Sequence, residues 1–202
     1  GLAIIDGDEV KEVYDSSSGI SNTEILTVVE GDNGDILLGS DGNGIYKISN
    51  GKVTNYGTEN GLRSEVIMRI KKDISRDMYW VVTSNSLAYM KGDTITTIEN
   101  FPYSNNFDIY ENHDGDMWIL SSNGIYVIPI DEMLANAEIS PVYYGRENGL
   151  PCVTTANSYS DISENGLLYV SGVTGVFKVN IDENFEEKEK VFTYKTNMNP
   201  KE

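Results

Sequence analysis

A fixed period runs through the chain and restricts its fold more than any other feature. Aligning the strand after each Gly or Ser-Leu turn places Ala3 of Leu2-Ala3-Ile4-Ile5 with Tyr46 of Ile45-Tyr46-Lys47-Ile48 and Tyr89 of Leu87-Ala88-Tyr89-Met90. Tyr126 of Gly124-Ile125-Tyr126-Val127 and Phe177 of Gly175-Val176-Phe177-Lys178 follow. These markers stand 43, 43, 37 and 51 residues apart, the last interval lengthened by an insertion. A second marker keeps the phase: Asn55-Tyr56-Gly57-Thr58-Glu59-Asn60-Gly61-Leu62 recurs 88 residues later as Tyr143-Tyr144-Gly145-Arg146-Glu147-Asn148-Gly149-Leu150. A period of this length means stacked supersecondary units that bury their apolar faces against one another.

Each period reads as four short strands, the content of a propeller blade. In the clearest copy, residues 25–30 turn at Asp32-Asn33-Gly34 and return as Ile36-Leu37-Leu38-Gly39. A turn at Asp41-Gly42-Asn43-Gly44 leads to residues 45–48, and Asn50-Gly51 is a two-residue hairpin signal before the outer strand at 52–56. The expected fold is all-β, with blades of four antiparallel strands over residues 1–180. The chain opens on half a blade and supplies about four to five blades, a partial propeller. Residues 181–202 read as a linker, with residues 191–194 an outer strand or the start of a following domain. Residues 131–137 are the one predicted helix, with Asp131 as its cap.

Composition bounds the partners. With 15 basic and 32 acidic residues the chain carries −17, which argues against nucleic acid and anionic membranes. The 39% hydrophobic share supports a packed core. No apolar run approaches the roughly 18 residues of a membrane span, and the first residues are too short for a signal peptide, so any anchor is expected elsewhere. A single cysteine, Cys152, excludes an internal disulfide.

Tyr-Gly-x-Glu-Asn-Gly-Leu after an outer strand, then Asp/Asn-Gly, a Trp-containing strand and Asn-Gly-Ile-Tyr, resembles the two-component regulator propeller repeat. Glu59-Asn60-Gly61-Leu62 and Asp114-Gly115-Asp116-Met117-Trp118 carry the resemblance best, and it covers residues 2 to about 180. Ser75-Arg76-Asp77 lacks its turn Gly, and Phe101-Pro102-Tyr103-Ser104 replaces the Asn-Gly-Leu loop. The resemblance implies a non-catalytic, extracytoplasmic sensor segment of a bacterial hybrid histidine kinase or a related diguanylate-cyclase receptor. It implies a small-molecule or oligosaccharide ligand, such as a glycan fragment, and neighbouring receptor domains. The open edge of the half blade adds a homodimer to the expected partners.

Other readings compete. His113 with Cys152 forms a nominal Cys-His pair, but His113 reads as a solvated turn residue and Cys152 as a half-buried apolar one. The Asp-Gly clusters at residues 6–8, 32–35 and 114–116 read as turns rather than calcium loops. Trp80 and Trp118 fall at one blade position and read as inter-blade packing rather than sugar platforms. No cofactor or metal is expected. Glu24, Glu65, Asp108 and Asp161, near the inner strands, leave open a propeller glycosidase, although nothing in the sequence brings two of them together. A protein-interaction scaffold is the remaining alternative.

A meander alternates direction at each turn, so inter-blade loops and second-to-third strand turns emerge on one face. That face is expected to hold the ligand. It gathers Arg63, Ser64, Tyr103, Asn105, Asn106, Thr155 and Asn157 from the loops, and Asp41, Asn43, Ser84, Asn85, Ser122 and Asn123 from the turns. Their amides and hydroxyls suit sugar or peptide groups.

Overall fold

A computed structural model describes residues 1–102, 104–156 and 158–183. The strands form consecutive antiparallel meanders, as the turns require. Strands β1 (Leu2–Asp6) and β2 (Glu9–Tyr14) make the half blade. The first full blade is β3 (Ile25–Glu30), β4 (Ile36–Ser40), β5 (Ile45–Ser49) and β6 (Lys52–Tyr56). The second is β7 (Ile67–Asp73), β8 (Met78–Thr83), β9 (Leu87–Lys91) and β10 (Thr94–Thr97). The third is β11 (Asn106–Glu111), β12 (Asp116–Ser121), β13 (Ile125–Pro129) and, after helix α1 (Ile130–Ala135), β14 (Val142–Tyr144). The last shows β15 (Asp161–Ile162), β16 (Leu167–Gly172) and β17 (Gly175–Asn180), three strands among the described residues. The outer strand expected at 191–194 lies outside the described residues. Beyond β17, Ile181 is buried against blade three, and the Asp182 carboxylate accepts from the His113 amide.

The core is a series of apolar layers between blades, because each strand alternates its side chains between the preceding and the following blade. On β8, Tyr79 and Val81 pack toward the first blade while Trp80 and Val82 pack toward the third. On β12, Met117 and Ile119 face back and Trp118 and Leu120 face forward. Both tryptophans are buried, as the repeat predicted.

The Tyr-Gly-x-Glu-Asn-Gly-Leu segment is a structural corner. It forms a short 3-10 turn, Thr58–Asn60 or Arg146–Asn148, closed by Gly61 or Gly149 at φ 107° and 97°. The Gly57 and Gly145 backbone amides each donate to the side-chain oxygen of the Asn three residues on, both at 2.9 Å. A third copy escaped the sequence comparison. Tyr14-Asp15 leads into Ser16–Ser18, Gly19 at φ 102° and the buried Ile20, with the Asp15 carboxylate accepting from the Ser17 amide.

Asn50 and Gly51 adopt φ 49° and 78°, the doubly positive geometry that an Asn-Gly hairpin provides. The helix starts earlier than predicted and Asp131 does not cap it: Pro129 holds the cap position without a side-chain bond, and Asp131 sits in the first turn. Its end is fixed by Asn136 at φ 50°, whose amide donates to the Thr97 carbonyl and accepts from the Glu99 amide, both at 2.8 Å.

Candidate functional site

Inter-blade loops and second-to-third strand turns do meet on one face. The Ser84 amide donates to the Val66 carbonyl at 3.0 Å, the Ser122 amide to the Asn105 carbonyl at 2.9 Å, and the Thr154 hydroxyl to the Ser121 carbonyl at 3.0 Å. Many of the polar side chains expected there serve this joinery. Asn106 is fully buried between Ser104 and the Ser86 carbonyl. The Ser84 and Ser64 hydroxyls bond each other at 2.9 Å, and Thr155 bonds Ser158. Arg63 is exposed and paired with Glu99. Asn85 accepts from Thr83, Ser122 donates to Asn123, and Asn43 donates to Tyr46 and Ser21. Asn105 and Asn123 are exposed. Tyr103 and Asn157 lie outside the described residues.

A different place gathers chemistry. The inner strands of blades two and three, with residues 159–162 at the start of blade four, line a cleft of about 660 Å³, and among the described residues none of the predicted ligand residues lines it. Each of the three complete inner strands carries a bulge one residue in, at Leu26, Met68 and Phe107. A bulge re-aims the side chains that follow it. The next residues are Thr27, Arg69 and Asp108, equivalent by register to each other, and two further on stand Val29, Lys71 and Tyr110.

These equivalent positions meet across blades. Asp108 is buried and its oxygens are fully engaged. One takes the Lys71 ammonium at 2.7 Å and the Ile109 amide at 2.8 Å. The other takes Arg69 Nε at 3.3 Å and lies 3.0 Å from the Tyr110 hydroxyl, whose single proton is shared with the Ser160 carbonyl at 2.5 Å. Lys71 also donates to the Ile109 carbonyl at 2.6 Å and lies 3.4 Å from the Tyr110 ring centre. The Arg69 guanidinium lies 4.5 Å over the ring of the exposed Tyr159. Burial pushes the Lys71 ammonium below its ordinary value, with Asp108 opposing. Burial and the neighbouring Asp108 charge push the Tyr110 phenol far up, so it acts as a fixed donor.

At the far end of the cleft Asp73 is a second anchor. It accepts from Ser75 at 2.7 Å, from Arg76 at 2.7 Å and from the Trp80 indole at 3.0 Å. Burial pushes its carboxyl up, but these donors together hold it below the usual range.

Of the four acids considered for glycosidase chemistry, Asp108 and Asp161 line this one cleft, whereas Glu65 accepts from Thr58 at the corner turn. Asp108 presents no unengaged oxygen to a substrate. His113 is exposed and pairs with Asp182 at 2.7 Å, and Cys152 is buried where a Cβ on Gly172 would meet its sulfur, so each has its own surroundings. Cys152 is thus more buried than its sequence context suggested.

Sequence reasoning missed Arg69, Lys71, Tyr110 and Tyr159. A signal was present: three of the chain's 15 basic residues, Arg69, Lys71 and Lys72, stand within four positions of an inner strand in a strongly acidic chain.

Comparison with known proteins supports the fold. No family model matches the chain, and no curated protein matches it. Solved structures do. The extracellular domain of a putative hybrid two-component system of B. thetaiotaomicron matches with a TM-score of 0.72 at 18% identity, over 89% of this chain and 25% of that one. PorZ, a surface component of the type-IX secretion system of Porphyromonas gingivalis, matches with a TM-score of 0.61 at 14% identity, over 83% and 27%. An ancestral GH74 enzyme matches with a TM-score of 0.56 at 13% identity, over 79% and 23%. The chain therefore spans about a quarter of the length of these solved chains.

Proposed function

We propose that this chain is a non-catalytic, ligand-binding propeller segment of an extracytoplasmic sensor belonging to a two-component receptor. The observation that carries the reading is the cleft on the inner strands: a cross-blade Arg69–Asp108–Lys71–Tyr110 network that the repeat itself does not need, since Thr27 and Val29 fill the equivalent places in blade one. A preorganised cluster of cations, aromatic rings and a bound carboxylate beside open volume is the usual make-up of a small-molecule site. Likeness to the extracellular domain of a putative hybrid two-component system supports the sensor reading, and the absence among the described residues of any helix long and apolar enough to cross a membrane is compatible with it.

The enzymatic reading draws on the GH74 likeness and on Asp108 and Asp161 sharing a cleft. It is opposed by the engagement of both Asp108 oxygens, because a general acid or nucleophile must present an oxygen to the substrate. An oligosaccharide array probed with the purified chain, with mass analysis of the bound sugars after overnight incubation, separates the two. Retention of an unchanged sugar supports sensing. Cleaved products would establish hydrolysis, and no retention of any sugar would remove the saccharide-sensing claim.

A further inference from the structure

Resting on the sensing reading, we infer that the inner-strand cleft selects a carboxylate-bearing sugar, a uronate unit held by the Arg69 guanidinium, packed on the Tyr159 ring and bonded through its hydroxyls to Asp161 and Ser160.

The donors come first. Arg69 uses only Nε on Asp108, and its two terminal nitrogens have no protein acceptor among the described residues although the side chain is only 12% exposed. A guanidinium that has been positioned by one carboxylate and a ring, with its outer nitrogens still unmatched, presents the fork that fits a planar carboxylate. The same ring sets the next contact. Tyr159 is 66% exposed, so the guanidinium below it leaves the aromatic surface accessible to a C–H-rich face.

Acceptors lie beside it. One Asp161 oxygen takes the Ile162 amide at 2.9 Å, and the exposed carboxylate keeps capacity for hydroxyl donors. The Ser160 hydroxyl accepts from the Ser171 amide at 3.3 Å and retains its own proton for donation. A molecule that is anionic at one point, hydroxylated around its rim and apolar on a ring face satisfies all three groups, which describes an acidic sugar.

Charge decides between anions. The lining carries three cations, Arg69, Lys71 and Lys72, and four acids, Asp73, Asp108, Glu111 and Asp161. Arg69 and Lys71 share Asp108, Lys72 pairs with Asp32, and Asp73 and Glu111 pair with Arg76, so the anion is held by the Arg69 fork and not by a surplus of positive charge. Against the remaining carboxylate, Asp161, a phosphate dianion meets more repulsion than a monoanionic carboxylate.

The test is calorimetric titration of the full chain with digalacturonate, diglucuronate and dimannuronate, each beside its neutral methyl ester. At least one acid should bind saturably, with its ester about tenfold or more weaker, corresponding to loss of one charge-assisted pair. Arg69→Lys, which keeps a cation for Asp108, should weaken the acid by a similar factor. Tyr159→Ala should weaken it severalfold with unchanged thermal unfolding. Equal binding of acid and ester, lost in Tyr159→Ala, would overturn acid selection and leave ligand sensing in this cleft intact. Acid binding insensitive to both substitutions would overturn the placement. No saturable binding of any acid up to about 10 mM, weaker than any useful recognition, would overturn the inference, and saccharide sensing with it if the neutral esters also fail.

Discussion

At the turn between second and third strands Ser40, Thr83 and Ser121 do one job three times, while on the neighbouring inner strand Thr27, Arg69 and Asp108 occupy one position with three different chemistries. The three hydroxyls donate to the carbonyls of Gly44, Ser86 and Gly124 at 2.8, 3.0 and 2.9 Å, and the amides of the same residues reach the same carbonyls. Each clamp closes a tight turn whose buried backbone would otherwise lack partners. The inner-strand residues follow identical bulges and so have the same backbone demand, yet they diverge. What repeats meets a requirement of every blade; what departs from the repeat while sharing its geometry answers to something else, here a cleft.

That contrast sets the expected outcomes. Trp80→Ala, in the repeated framework, should cost about 3–5 kcal/mol, since it removes a buried ring that fills the layer between blades two and three and takes one of its donors from Asp73. Chemical denaturation measures it, and a loss under about 1 kcal/mol would break the framework side of the comparison.

Asp73→Asn should cost about 1.5–3 kcal/mol by weakening charged hydrogen bonds. Because the folded-state carboxyl titrates below its unfolded value, its contribution is complete above the ordinary carboxylate range and is lost as pH falls through the folded value. The gap between wild type and variant in urea melts should therefore be full at pH 7 and shrink in acid. A gap that widened in acid would contradict the assignment.

Gly44→Ala should cost about 1–3 kcal/mol, since φ is +71° and the added Cβ would stand 2.1 Å from the Tyr56 carbonyl oxygen. Gly124 repeats the arrangement at 2.4 Å from the Tyr144 carbonyl, so the two variants should behave alike. Ser121→Ala should cost about 1 kcal/mol through loss of one clamp. Tyr159→Ala, on the divergent side, should stay within about 0.5 kcal/mol of wild type because the ring is largely exposed.

The period, the blade content, the Asn50-Gly51 hairpin and the inter-blade role of Trp80 and Trp118 were legible because each is written within a few residues and then repeated. The corner turn at Tyr14-Asp15 was not, since Asp15 and three serines replace the Gly-x-Glu-Asn signature while the backbone keeps the same 3-10 turn and left-handed Gly19. The cleft was hidden for another reason. Its bonds join residues 38 and 39 positions apart, Lys71 to Ile109 and Arg69 to Asp108, and they depend on bulges that shift which side chains face each other. Strand direction brings inter-blade loops and turns to one face, but direction alone does not reveal that Asn106 and Ser84 have protein partners within hydrogen-bond reach.

The central claim is that recognition sits on the divergent inner wall and not on the loop face. Amide shift mapping of the isotopically labelled chain, titrated with the sugar retained from the array, tests it most directly. The account predicts perturbations concentrated on residues 69–73, 108–111 and 159–162. Perturbations concentrated instead on Arg63, Ser84, Asn85, Asn105, Ser122 and Asn123 would contradict it.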